Sequence, residues 1–145
     1  MRKRETKIHL AAAQAPLFAC PVCGQPLQVT AGSLVCVNGH VRDFSHKGTL
    51  NFLNQQVATE YTTPMLAARR RMLNAGLFTP FLAAMAAKLP KHQRLLDVGC
   101  GEGTPTAYLA EAGQQTAVGF DISSPAINLA GGLAAPVLFA VADLA

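Results

Sequence analysis

Charge is scarce in this chain, and beyond Arg94 charge of one sign is missing altogether. Only 14% of the residues are Asp, Glu, Lys or Arg, while 50% are hydrophobic, a composition too apolar for a disordered tail and sufficient to bury a core. No stretch approaches the ~20 unbroken apolar residues of a membrane-spanning helix, which excludes a transmembrane protein and any membrane partner of that kind. No secretory leader is expected either. Residues 1–7 are basic, but residues 9–16 form a short alanine-rich run with Gln14 inside it and no cleavage site. The expectation is a cytoplasmic chain with a basic N-terminal extension over residues 1–17. Its 145 residues allow one ordinary domain, or a small domain joined to part of a larger one.

What charge there is falls on two sides. Residues 1–94 carry all 12 Lys and Arg against Glu5, Asp43 and Glu60, a balance of +9, whereas residues 95–145 carry five acids and no base, a balance of −5. A basic front half suits a polyanion such as nucleic acid, because Lys and Arg displace counterions from phosphates. A basic tail with solvated helix faces produces the same composition.

Cysteine is sparse, four in all, yet three of the four lie close together. Cys20 and Cys23 form a C-x-x-C, and Cys36 follows with His40 shortly after it. Two chelating loops of this kind present four ligands to one ion, and residues 27–29 and 33–35 between them read as hairpin strands turned at Ala31-Gly32. Thiolate and imidazole together favour zinc, and a full set of four protein ligands makes it structural, with no position left for a reacting water. A ribbon over residues 18–54 has too little core to fold alone, which the metal remedies. A redox C-x-x-C or unrelated buried thiols are the competing readings.

Residues 55–92 read as a helical linker. Thr62, Thr63 and Pro64 give a helix start, Met65, Leu66, Met72 and Leu73 an apolar stripe, and Gly76 a stop; Thr79 and Pro80 open a second helix that Pro90 ends. Arg69, Arg70 and Arg71 fan over more than half of the first helix's circumference, so at most one or two of them can address a common ligand. Either nucleic-acid contact or a solvated face accounts for them.

The segment over residues 93–145 carries the most specific pattern. Leu95-Leu96-Asp97-Val98 is a short strand running into Gly99-Cys100-Gly101-Glu102-Gly103, and Thr104 and Pro105 open the helix that follows. Alternate glycines let the backbone turn sharply at the strand's carboxyl end and approach a ligand closely. A second strand over residues 116–120 delivers Asp121, followed by Ile122, where a carboxylate can accept hydrogen bonds from both ribose hydroxyls of an adenosine. A third strand over residues 136–141 ends near Asp143, placed for the adenine amino group. The pattern is D-x-G-x-G-x-G, with Thr104 where a dinucleotide fingerprint has its last glycine. Asp97 beside the loop repels a pyrophosphate and suits the cationic amino-acid part of S-adenosylmethionine.

The order of zinc ribbon, arginine-bearing linker and D-V-G-C-G-E-G resembles the bacterial 23S ribosomal RNA guanine-N1 methyltransferases, some of whose members confer resistance to macrolide-type antibiotics. The likeness spans about residues 18–145. Cys20, Cys23, Cys36 and His40 match the family's zinc ligands, the run from His40 to Leu53 follows its pattern after the ligands, and residues 65–78 are similar to its linker. The resemblance implies the N-terminal half of a Rossmann-like α/β methyltransferase domain, with about three of some seven parallel strands, preceded by a ribbon and linker. It implies S-adenosylmethionine and structural zinc as cofactors and 23S ribosomal RNA as partner. It also implies cofactor contacts from Phe78, Asp97, Gly99, Cys100, Gly101, Glu102, Gly103, Asp121, Ile122 and Asp143. The group that handles the guanine N1 proton is not identified among these residues. The first strand's uncovered apolar edge is expected to aggregate or to pair with a partner, a second copy of the chain included. Two other readings are a zinc-ribbon RNA-binding module with a vestigial methyltransferase half, and a small-molecule methyltransferase whose ribbon is purely structural.

Overall fold

A computed structural model describes residues 2–144. Among them no helix is long and apolar enough to cross a membrane. The chain opens with helix α1 (Lys3–Gln14) and a short 3-10 turn, then the ribbon strands β1 (Leu27–Thr30), β2 (Ser33–Cys36) and β3 (Val41–Asp43), which form an antiparallel sheet in that order. The β1–β2 turn places Ala31 and Gly32 at φ 51° and 81°, the two left-handed residues that a tight hairpin requires. Strand β3 was not legible in the spacing of the ligands.

Helices α2 (Thr63–Asn74) and α3 (Thr79–Lys88) follow. The Thr62 hydroxyl accepts the Met65 N–H and Pro64 sits in the first turn of α2, a start signal that sterics and unpaired amides both favour. Beyond them, β5 (Arg94–Val98), α4 (Thr104–Gly113), β6 (Thr116–Asp121), α5 (Ser124–Ala130) and β7 (Val137–Val141) make a parallel sheet joined by crossover helices. The expected three strands are present. A fourth, β4 (Leu50–Asn51), joins the far edge in parallel with β7, giving the order β4-β7-β6-β5.

The sheet is covered on both faces, and this is why all five residues of β7 are buried. Ala117, Val137, Phe139 and Val141 pack with Ala110, Ile127 and Ala130 of α4 and α5. On the other face, Val118, Leu138 and Ala140 share a core with Ala11, Ala15, Leu27, Leu34 and Phe44 from α1 and the ribbon. The basic extension is therefore a packed helix. Gly48 lets it come close, since a Cβ there would lie 2.6 Å from the Lys7 side chain. Strand β5 occupies the opposite edge of the sheet, where α1 and the ribbon do not reach, so that Leu96 and Val98 on that face stay 57% and 61% exposed.

Candidate functional site

Cys20, Cys23, Cys36 and His40 converge, with all four ligand atoms within 4.8 Å of one another. The Cys23 and Cys36 sulfurs are 3.7 Å apart, and His40 Nδ1 lies 3.6 Å from the Cys20 sulfur and 3.4 Å from that of Cys36. A tetrahedral ion with metal–sulfur bonds of ~2.3 Å and a metal–nitrogen bond of ~2.0 Å requires edges of roughly 3.8 Å and 3.5 Å, so the donor set fits zinc. Each loop is closed by a backbone bond, Gly24 N–H to the Cys20 carbonyl and Gly39 N–H to that of Cys36. The Gln25 backbone N–H, then the Asn38 side chain, brings the Cys23 thiol down to about 7, which favours the thiolate that a metal binds. Burial pushes the Cys36 thiol up, a proton that metal binding displaces.

The second site is a cavity of about 700 Å³ at the carboxyl ends of the parallel strands, lined by Gly99, Gly101, Asp121, Ile122, Ser123 and Asp143. Gly99 and Gly101 hold φ of 77° and 58°, and nothing lies within 4 Å of where either would carry a Cβ. The space beside them is open to a ligand. Gly103 has a different reason to be glycine: at φ 87° a Cβ there would meet the Phe139 ring at 2.7 Å. Asp121 is locked in place, its Oδ2 accepting the Gly101 N–H and its Oδ1 the Ser123 N–H, both at 2.8 Å. Each oxygen keeps a further lone pair, and two adjacent acceptors held rigidly match a vicinal diol.

The remaining candidates divide. Cys100 is buried behind the loop, where burial first and the Asp97 and Asp121 charges next push its thiol far up. Glu102 is fully buried and turned away from the cavity toward Arg70, whose Nε donates at 2.8 Å. The same guanidinium donates to the Glu102 carbonyl at 2.6 Å and to the Leu129 carbonyl at 3.1 Å. Asp97 accepts the Thr106 hydroxyl at 2.6 Å. Asp97 and Phe78 line a separate apolar groove with Phe81, Leu82 and Met85, and Arg69 lines both this groove and the cavity. Sequence reasoning missed the part of the cavity lining built by Tyr61, Met65, Leu66 and Arg69; an apolar stripe at helical spacing shows that a face is covered but not what it covers.

A family model described as a methyltransferase domain matches residues 67–143, and one described as the RlmA N-terminal region, a zinc ribbon, matches residues 18–57. A protein of Bacillus subtilis, provisionally named a 23S rRNA (guanine-N(1)-)-methyltransferase, is 35% identical over 142 residues, covering 89% of this chain and 50% of the relative. The 23S rRNA (guanine(748)-N(1))-methyltransferase of Streptomyces fradiae is 31% identical, covering 86% of this chain and 48% of the relative. A 2-heptyl-1-hydroxyquinolin-4(1H)-one methyltransferase of Mycobacteroides abscessus is 40% identical over 86 residues, 56% of this chain and 37% of the relative. The chain thus spans about half the length, or less, of these curated relatives. With the glycine loop, the clamped Asp121 and strands β5, β6 and β7 all inside the larger match, which takes in more than half of the residues, the chain belongs to the methyltransferase domain family.

Proposed function

We propose that this chain is the zinc-ribbon and cofactor-binding portion of a methyltransferase that uses S-adenosylmethionine to methylate N1 of a guanine in 23S ribosomal RNA. The observation that carries the reading is the union, on one chain, of the four-ligand ribbon and a cleft whose Asp121 is locked against the Gly101 backbone. The relatives named for that reaction match across most of the chain, so both halves are included.

When bound, S-adenosylmethionine supplies an electrophilic methyl group on a sulfonium sulfur. The residues of this chain hold and orient. Asp121 accepts from the ribose hydroxyls, the Gly99 and Gly101 backbone lets the ligand approach, and Ile122 with Asp143 borders the adenine. Tyr61, Met65 and Leu66 complete the apolar part of the same lining. Positioning supplies much of the rate in such a displacement. Exposed Arg69, Arg71, Lys88, Lys91 and Arg94 offer phosphate contacts, and the protein acts in the cytoplasm. A small-molecule substrate is the second reading, favoured by the Mycobacteroides abscessus relative.

Calorimetric titration with S-adenosylmethionine, with zinc counted on the same sample, tests the reading. Cofactor binding that Asp121→Ala abolishes, together with binding to a 23S RNA fragment that Asp121→Ala spares and that weakens steeply with salt, is the expected result. Cofactor binding without RNA binding favours the second reading, and absence of both refutes the proposal.

A further inference from the structure

The ribbon and the cofactor cleft meet around Phe120. Phe18, at the entrance to the ribbon, and Phe52, at its exit, pack against Phe120 with ring centroids 6.0 Å and 6.1 Å away, and against each other at 5.6 Å. Phe120 lies on the wall of the cleft, immediately before Asp121. Its carbonyl accepts two amides of the glycine loop, Gly99 N–H at 2.8 Å and Cys100 N–H at 2.9 Å. Phe52 reaches the other acidic strand end as well, since its N–H donates to the Val141 carbonyl at 2.8 Å, and Ala142 N–H donates to the Asp121 carbonyl at 3.0 Å. Two residues on, Asn54 Nδ2 donates to the carbonyl of Pro21, inside the Cys20–Cys23 loop, at 2.8 Å. An unbroken series of contacts thus runs from a metal loop to the backbone that shapes the cleft.

We propose that Phe18 and Phe52 are positioning residues of the cofactor loop: by holding the Phe120 ring they fix the carbonyl from which the glycine loop hangs, so that the metal-folded ribbon sets the shape of the cleft. The inference rests on the cleft's reading as a cofactor site. Aromatic packing of this kind is directional, and Phe120 is one residue with two duties, its ring facing the ribbon and its carbonyl facing the loop. Metal occupancy is then transmitted to the cleft without any ligand in common.

The test uses the zinc-loaded 145-residue chain, amide hydrogen exchange at Gly99 and Cys100, and calorimetry with S-adenosylhomocysteine. Phe52→Ala is expected to keep one zinc per chain and to speed exchange at Gly99 and Cys100 while Leu109 and Ala110 in α4 stay protected. It is expected to weaken S-adenosylhomocysteine binding by roughly 3- to 30-fold, and Phe52→Leu restores most of both. Should Phe52→Ala fail to fold, chelation of the metal from the unaltered chain gives the same readout at the same four amides. Unchanged exchange at Gly99 and Cys100 overturns the inference, and so does equal loss at Leu109 and Ala110, which makes the effect one of general unfolding. If the unaltered chain binds no S-adenosylhomocysteine yet the exchange pattern appears as expected, the cofactor reading fails and the coupling stands.

Discussion

The basic front of the chain and its acidic back use polar groups in opposite ways. The carboxylates of the back are held mainly by uncharged donors: Asp121 by two backbone amides, Asp97 by the Thr106 hydroxyl. The cations of the front reach across to oxygens of the back. Lys3 donates to the Gly132 carbonyl at 2.7 Å, Lys47 to that of Asn128 at 3.0 Å and Arg70 to that of Leu129. All three converge on the carboxyl end of α5, where the helix dipole attracts positive charge. The difference teaches that a charge asymmetry of this size is partly an internal device that joins two regions. One salt bridge, Arg70–Glu102, pairs opposite charges across the two regions. The cations left for a polyanion include those that stay exposed on α2, α3 and around the start of β5.

The strongest way to break this comparison is to remove what folds the front. Cys36→Ser deletes a ligand that is itself buried, and a structural zinc site contributes on the order of 10 kcal/mol to its domain. Loss of the zinc and of the ribbon's protected amides is expected, read by metal analysis and hydrogen exchange. Full retention of zinc would show that the thiol is not a ligand. Next in size is Arg70→Ala, which leaves Glu102 buried without its cation at a cost of about 3–5 kcal/mol. Urea denaturation measures it. Adding Glu102→Gln to that variant should recover part of the loss, because the buried charge is then gone; no recovery would place the cost in the Leu129 contact instead.

Much of this was legible in local chemistry. The ligand spacing, the hairpin turn at Ala31-Gly32, the proline starts of α2 and α3, and the glycine loop with Asp121 depend on neighbours within a few residues, where sterics and hydrogen-bond geometry act directly. What escaped is long-range. Nothing near Leu50–Asn51 announces that two residues will extend a sheet whose nearest strand, β7, begins at Val137. Nor does an alanine-rich N-terminus reveal that it will cover that sheet. The triplet Arg69, Arg70, Arg71 shows the limit within a single helix: three identical side chains separate into a cavity rim, a buried pair and a solvated face, set entirely by what packs alongside.

The finest test of the interlock is Lys7, whose ammonium donates to the Ala135 and Val137 carbonyls from a position 3% exposed. It also lies 5.8 Å from the Phe139 ring centroid. Lys7→Ala removes both hydrogen bonds and is expected to cost about 1–3 kcal/mol at neutral pH. Burial first, and Lys3 second, lowers the Lys7 pKa from 10.5 to about 8. Between those two values the unfolded chain binds more protons than the folded one, so this group's contribution to stability rises as pH increases. The neutral amine keeps two donors for the two carbonyls, while its desolvation penalty disappears. The stability gap between the unaltered chain and Lys7→Ala should therefore widen from pH 7 to pH 10 in paired urea titrations, and a gap that narrows would mean that the ammonium charge, rather than its hydrogen bonds, holds α1 to the sheet.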